Sequence, residues 1–114
     1  MTLIINSLDE IAHQYDALFV DLWGCVHNGI TAYKSAVEAL IKYRQTGGKV
    51  VLLTNSPRPR VGVEKQLHHL NVPTTCFDTV ATSGDSARAA MFTGVVGKKV
   101  FFIGEPRDQL FFDP

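Results

Sequence analysis

The stretch LFVDLWGCVHNG, from Leu18 to Gly29, decides how this sequence folds and which chemistry it carries. The apolar run Ala17–Val20 is rich in strand-favouring residues and too short for a helix, which predicts a strand covered on both faces. Asp21 follows at the carboxyl end of this strand, and a turn that contains glycine comes next. An aspartate fixed in this way suits nucleophilic catalysis or metal binding. The simpler alternative is that Asp21 only caps the turn after a core strand.

A strand–helix–strand unit follows from the residues after this stretch. Segment 35–48 begins at Ser35 with the spacing of a capping box, carries an apolar face and ends in two glycines, which predicts a helix. The apolar run Lys49–Asn55 predicts a second strand. Crossover connections of this kind join parallel strands, whose carboxyl ends share one edge of the sheet. We therefore expect Asp21 and Thr54 to come together at the edge where open α/β sheets bind ligands.

Further patterns extend this unit along the chain. Ser7 and Glu10 have capping-box spacing and predict a short leading helix. Apolar patterns predict four more elements, in the order helix 61–72, strand 77–83, helix 83–94 and strand 98–104. We expect Ser83 or Asp85 to cap the second of these helices. The sequence thus predicts an α/β fold with a parallel sheet flanked by helices, whereas the last ten residues show no clear element.

Charge and composition exclude several classes of function. Eleven basic and eleven acidic residues cancel, so no electrostatic footprint for nucleic acid is present. No apolar run approaches the roughly 20 residues of a membrane span, and the N-terminus lacks the pattern of a signal peptide. Cys25 and Cys76 lie 51 positions apart and show no zinc-ligand spacing with the histidines, so we expect two reduced cysteines that are buried as small apolar residues. We expect a cytoplasmic protein that binds small molecules or other proteins.

Two motifs resemble those of a known enzyme family. FVDLWGCVHNG, followed about 30 residues later by VVLLTNSPRP, resembles the haloacid dehalogenase-like hydrolases, and in particular their class IIA branch of p-nitrophenyl phosphatase-like and sugar-phosphate phosphatase-like enzymes. Asp21, Gly24 and Gly29 match the first motif of that family, and Thr54 with Asn55 match the second. The resemblance implies a Rossmann-like core of which this chain is the N-terminal portion. Residues 1–81 would form the first half of the core, and residues 82–114 the start of an inserted class II cap.

The resemblance also implies roles for individual residues. Asp21 would attack phosphorus to give an aspartyl-phosphate, and Thr54 with Asn55 would bind the phosphate. Mg²⁺ would be held by the Asp21 carboxylate and the backbone carbonyl of Trp23. The substrate would be a small phosphorylated metabolite. Arg58, in the proline-rich loop after the second motif, would face this anion together with Arg60.

The sequence departs from the family pattern at the position of a second carboxylate, which is occupied here by Trp23. General acid–base catalysis is typically worth about 10²- to 10⁴-fold in rate, and an indole cannot shuttle a proton at neutral pH. His27 could replace the missing acid, or it is simply a surface or turn histidine. The lysine and the last aspartates of the family pattern are also missing from these 114 residues. We therefore expect a phosphatase that is weak or inactive as the isolated chain.

Two alternatives from other classes remain open. The first is a non-catalytic module of the same fold that binds phosphate or a protein. The second is a receiver-like or flavodoxin-like domain, although the paired acidic residues of receivers and a flavin-binding loop are missing. A half-core would also expose a sheet edge and the apolar surface around four aromatic residues, Phe101, Phe102, Phe111 and Phe112. Such a chain should form a homodimer, exchange segments or belong to a longer protein.

Overall fold

Three parallel strands form the centre of the computed structural model, which describes residues 1–113. The strands are β1 (Ala17–Val20), β2 (Lys49–Thr54) and β3 (Thr79–Thr82), and β2 lies between the other two. The described residues also form α1 (Asp9–Ala12), α2 (Lys34–Gln45), α3 (Arg60–His69) and α4 (Ser83–Phe92). The predicted α/β fold with a parallel sheet flanked by helices is confirmed. No helix among residues 1–113 combines the length and the apolar character needed to cross a bilayer.

The register of the strands aligns their carboxyl ends. Val20 pairs with Leu52, and Thr54 pairs with Thr82. Because all three strands are parallel, the residues that follow them emerge at one edge of the sheet. Asp21, the first residue after β1, therefore lies beside the end of β2.

The apolar core lies on one face of this sheet. Val50 and Leu52 are fully buried in it, together with side chains from α2 and α3, namely Leu40, Tyr43, Val63 and Leu67. On the opposite face Phe19 is 75% exposed and Leu53 is 49% exposed. The prediction that β1 is covered on both faces is therefore wrong for the described residues. Helices α2 and α3 both pack on the face that carries Val50 and Leu52.

The first two capping predictions are only partly correct. The Glu10 carboxylate accepts hydrogen bonds from the amides of Asn6 and Ser7, at 2.7 and 3.2 Å, which is one half of a capping box. The Ser7 hydroxyl does not return the bond, because α1 begins later, at Asp9. Helix α2 begins one residue before Ser35, so this serine lies inside the first turn and caps nothing.

Helix α4 is capped by a residue that the sequence pattern did not indicate. The hydroxyl of Thr82 accepts a hydrogen bond of 2.9 Å from the amide of Asp85. The prediction that Ser83 or Asp85 is the cap is therefore wrong. The extended backbone of β3 runs directly into α4, which makes the last strand residue the N-cap.

The C-terminal segment differs most from expectation. Residues 98–104 do not form the predicted strand, since no strand of the described chain lies beside them to supply hydrogen bonds. A 3₁₀ helix, Pro106–Phe112, follows where no element was expected. It is fixed to α4 by Arg88, whose Nε donates to the carbonyl of Phe111 at 2.9 Å. The assignment of residues 82–114 to a cap stays a prediction, and Pro114 lies outside the described residues.

Candidate active site

The carboxyl edge of the sheet brings together the two residues that the sequence placed there. Asp21 follows β1, and Thr54 ends the neighbouring strand β2. Asp21 is exposed, and its Oδ1 accepts a hydrogen bond of 2.8 Å from the amide of Leu22. Among the described residues its Oδ2 accepts no hydrogen bond, so this oxygen is free to meet a ligand.

A tight turn after Asp21 fixes the backbone of the site. The carbonyl of Leu22 accepts hydrogen bonds from the amides of Cys25, Val26 and His27, at 3.2, 2.8 and 3.2 Å. The amide of Gly24 donates back to the carbonyl of His27 at 2.8 Å. Leu22 and Val26 are 2% and 0% exposed, and their burial anchors the turn in the core. The turn therefore holds Trp23 and His27 at fixed places beside Asp21.

Trp23 presents its indole to solvent at this edge. The side chain is 60% exposed. Its ring makes an edge-to-face contact with the His27 ring, with centroids 5.3 Å apart and an interplanar angle of 67°. The indole also lies over Gly29, where an added Cβ would be only 2.1 Å from Trp23 Cη2. Gly29 has a φ of 82°, so both the close approach of the indole and the left-handed backbone require glycine here.

His27 is a turn histidine, which is one of the alternatives that the sequence left open, and it is buried, with 1% exposure, rather than at the surface. Its Nδ1 accepts a hydrogen bond of 3.0 Å from the amide of Gly29. In the neutral ring this leaves the proton on Nε2. Burial lowers the pKa of His27 below its ordinary value, and the negative charge of Asp21 opposes that shift. The ring is therefore mainly neutral near pH 7.

Thr54 and Asn55 differ in how they are held. Thr54 is 6% exposed, and its Oγ1 accepts a hydrogen bond of 3.2 Å from the amide of Ser56. The hydroxyl proton is therefore still available to a ligand oxygen. Asn55 is exposed, and its side chain makes no hydrogen bond within residues 1–113. Both residues offer donors at the edge that Asp21 shares.

The proline-rich loop after β2 places the two predicted arginines differently. Arg60 begins α3, and its guanidinium lies 3.8 Å from the Glu64 carboxylate one turn along that helix. Arg58 is exposed, and within the described chain its guanidinium has no acidic partner. Only Arg58 therefore keeps an uncompensated charge for an anion.

The same loop is fastened to the start of α4. The Ser56 carbonyl accepts hydrogen bonds from the amide of Gly84 and the hydroxyl of Ser83, both at 3.1 Å. A Cβ at Gly84 would lie 2.3 Å from the Pro57 carbonyl oxygen, so only glycine permits this contact. Sequence reasoning did not identify this connection, because nothing in the local pattern links residues that lie nearly 30 positions apart.

A groove of about 910 Å³ lies away from Asp21. It is lined by the proline-rich loop, by α3 and by the apolar segment 100–104. Neither Asp21 nor Thr54 lines this groove, and only Arg58 belongs both to it and to the predicted site residues. Apart from Arg58, the predicted site residues therefore lie outside this groove.

The oxygen atoms at this edge are of the type that binds Mg²⁺, but they are too few to complete a site. Asp21 offers a carboxylate, and no backbone hydrogen bond within the described residues reaches the carbonyl oxygen of Trp23. Mg²⁺ prefers such oxygen ligands and usually takes only one or two carboxylates, with water and phosphate in the other positions. No group of three or more histidine, cysteine, aspartate or glutamate residues within residues 1–113 is placed to hold a metal. The assignment of Asp21 and the Trp23 carbonyl to a Mg²⁺ ion therefore stays a prediction.

Comparisons with known proteins agree with this geometry. A family model described as haloacid dehalogenase-like hydrolase matches residues 18–113. The crystal structure of a hydrolase of the haloacid dehalogenase-like family from Brucella suis 1330 is similar to this chain, with 41% sequence identity and a TM-score of 0.88. The match covers 96% of this chain and 40% of that one, so the chain spans about two fifths of the length of that protein. A search of curated proteins finds no match.

Proposed function

Because the chain belongs to the haloacid dehalogenase-like hydrolases, we propose that it carries the nucleophile and phosphate-binding half of a Mg²⁺-dependent phosphomonoesterase. The observation that supports this most directly is the position of Asp21. It stands exposed at the carboxyl edge of the sheet with one free oxygen, beside the end of the strand that carries Thr54. We further propose a small phosphorylated metabolite as the substrate and the cytoplasm as the place of action.

The proposed reaction begins at the free carboxylate oxygen of Asp21. This oxygen attacks phosphorus as the ester oxygen leaves with its bonding electrons and takes a proton from water. Water then hydrolyses the aspartyl-phosphate, which releases inorganic phosphate and restores the carboxylate. The Thr54 hydroxyl and the Asn55 amide donate hydrogen bonds to the oxygens of the transferring group. Mg²⁺, held by Asp21 and the Trp23 carbonyl, would neutralise part of the phosphate charge.

Trp23 limits the rate at which these residues could hydrolyse a phosphate ester. Position 23 has no carboxylic acid that could protonate the leaving oxygen. The loss of this general acid catalysis lowers the rate by about 10²- to 10⁴-fold. We propose that the remaining metal ligands, and a cation that balances the phosphate charge, lie in a segment that corresponds to the part of the related hydrolase that this chain does not span. The 114-residue chain alone should then bind phosphate and turn over slowly or not at all. A pure phosphate-binding module is the second candidate, and the indole in place of a proton donor favours it.

A thermal-shift experiment tests the shared part of both candidates. Mg²⁺ with inorganic phosphate or beryllofluoride should raise the melting temperature of the 114-residue chain. A ligand concentration of 100 times Kd would stabilise the folded chain by about 2.7 kcal/mol. Asp21→Asn should abolish the beryllofluoride effect. Asp16→Asn is the matched control, because this exposed aspartate lies just before the amino end of the same strand. No shift with the unmodified chain would contradict both candidates.

Turnover separates the two candidates. Magnesium-dependent release of phosphate that is lost in Asp21→Asn identifies a phosphatase. A binding module is identified if the chain binds phosphate without turnover. The turnover must also be missing when the part of the related hydrolase that this chain does not span is added.

A further inference from the structure

The groove beside the proline-rich loop is a site that the proposed function leaves unused. Its volume of about 910 Å³ is that of a small-molecule site, and neither Asp21 nor Thr54 lines it. Its lining comes from two parts of the chain. The first is the proline-rich loop with α3, and the second is segment 100–104 with the 3₁₀ helix Pro106–Phe112. The groove therefore has to be explained by its own lining.

Most of this lining is apolar, and much of it is exposed to solvent. Phe101 and Ile103 are 89% and 87% exposed, although both are large apolar residues. Phe102 packs edge to face on Phe112, with ring centroids 5.1 Å apart. Contiguous apolar surface of this kind is typical of ligand-binding grooves. An apolar ligand would remove these side chains from water.

Two unpaired cations lie on the α3 side of the groove. Arg58 and Lys65 both line it and are exposed, and among residues 1–113 neither has an acidic partner. Gly62 connects their positions, because a Cβ there would lie 3.6 Å from Arg58 Cβ, and Lys65 follows Gly62 by about one helical turn. Both side chains therefore leave the backbone close to Gly62.

The other charged residues of the lining do not cancel this charge. Arg107 is paired with Glu105 at 2.8 Å. Asp108 also lines the groove, and it belongs to the 3₁₀ helix rather than to the backbone around Gly62. One carboxylate against two unpaired cations leaves an excess of positive charge. The groove therefore favours an anion over a cation.

We propose that the groove binds an amphipathic anion, namely an alkyl carboxylate. Its chain lies on the apolar lining, and its head group meets Arg58 and Lys65. A guanidinium can donate two parallel hydrogen bonds to a carboxylate, and an ammonium supplies a further donor. The site lies apart from Asp21 and does not depend on the proposed function. Arg58, which the sequence assigned to the phosphate of the substrate, then serves a second anion.

A single anion suits this groove better than the surface of a membrane. The apolar side chains and the two cations line the same concave groove, so one chain and its head group can contact both. Segments that recognise anionic membranes usually carry clusters of four or more basic residues. The lining holds three, and one of these is already paired with Glu105.

Calorimetry with the 114-residue chain tests the proposal directly. The probes are hexanoate, octanoate and decanoate, each below the concentration at which it forms micelles. Each additional pair of methylenes should tighten binding about tenfold, because the chain is removed from water. Decyltrimethylammonium has the same chain as decanoate but a cationic head group. It should bind about tenfold more weakly than decanoate, because it meets Arg58 and Lys65 with the same sign of charge.

Variants at exposed positions separate the head group from the chain. Lys65→Glu should weaken the binding of decanoate about tenfold, because it replaces an attraction by a repulsion. Lys98→Glu is its matched control at an exposed lysine outside the lining. Phe101→Ser should weaken the binding severalfold, and its control is Ile4→Ser, at an apolar residue of equal exposure outside the lining. Both controls should leave the affinity for decanoate unchanged.

Several results would overturn the proposal. These are the absence of decanoate binding, equal affinity for decanoate and decyltrimethylammonium, and an affinity that Lys65→Glu does not change. Binding to vesicles of phosphatidylglycerol without binding of monomeric decanoate would show a membrane surface instead. A dimer in sedimentation that Phe101→Ser dissociates, and that decanoate does not bind, would show that a second copy covers the groove. The proposed function is tested separately, by the beryllofluoride effect that depends on Asp21.

Discussion

Replacing Gly29 with alanine tests how firmly the active-site indole is held, because two separate effects require glycine there. The first is the left-handed backbone, with a φ of 82°. An ordinary residue in that conformation costs about 1–2 kcal/mol. The second is the indole, since the new Cβ would lie 2.1 Å from Trp23 Cη2. Carbon atoms in contact are about 3.6 Å apart, so the ring must move by about 1.5 Å.

Gly47→Ala isolates the first effect. Gly47 has a φ of 95°, and nothing lies within 4 Å of an added Cβ. This variant should lose only the backbone cost of about 1–2 kcal/mol. Gly29→Ala should lose a further 0.5–1.5 kcal/mol or so, because the displaced ring gives up its edge-to-face contact with His27.

Urea unfolding of the two variants measures this difference, with the emission of Trp23 as the probe. The near-ultraviolet circular dichroism of the single indole should also fall in Gly29→Ala and stay unchanged in Gly47→Ala, because only the first variant frees the ring. Equal free energies of unfolding in the two variants, with an unchanged indole signal in both, would refute the idea that Gly29 holds the ring.

Three further predictions concern charge, thiols and the missing acid. The amide of Val50 and the guanidinium of Arg44 lower the pKa of Asp78, so the stabilisation is complete above the ordinary value of 3.8 and is lost as the pH falls below it. Urea unfolding should show this loss below pH 3.8 in the native chain, and the loss should disappear in Asp78→Asn. The predicted burial is confirmed for Cys76 and is wrong for Cys25, which is exposed. Burial raises the pKa of Cys76 to about 11, so a thiol reagent at pH 8 should label Cys25 at once and Cys76 only after unfolding. Trp23→Asp should speed hydrolysis of an aliphatic phosphate ester by about 10²- to 10⁴-fold, and an unchanged rate would contradict the assignment of this position to the proton donor.

The sheet and its functional edge could be predicted because they follow from local patterns. Continuous apolar runs identify β1 and β2, and the right-handed crossover between them fixes which ends are neighbours. Together these two patterns place Asp21 next to Thr54 from the sequence alone. Helix starts were less predictable, because a capping-box spacing does not decide whether the serine or its predecessor begins the helix, as Ser35 shows.

Features that depend on distant residues could not be predicted. The segment 98–104 has the composition of a strand, yet a strand also needs a neighbour, and none lies beside it among residues 1–113. His27 looks polar in the sequence, but the turn folds it against Trp23 and buries it. The contact between Gly29 and the indole is of the same kind, because the motif shows a glycine without showing what lies on it.

The attachment of α4 to the proline-rich loop determines where this chain can bend. Two hydrogen bonds to the Ser56 carbonyl, and the absence of a side chain at Gly84, make the loop and the first turn of the helix move as one rigid piece. A hinge between the sheet and the residues that follow it is therefore not expected at residue 82. The first points beyond α4 that combine left-handed backbone with open space are Gly94 and Gly97. Any opening of the C-terminal segment about these glycines would have to break the hydrogen bond from Arg88 Nε to the Phe111 carbonyl, while Thr54 and its loop stay in place.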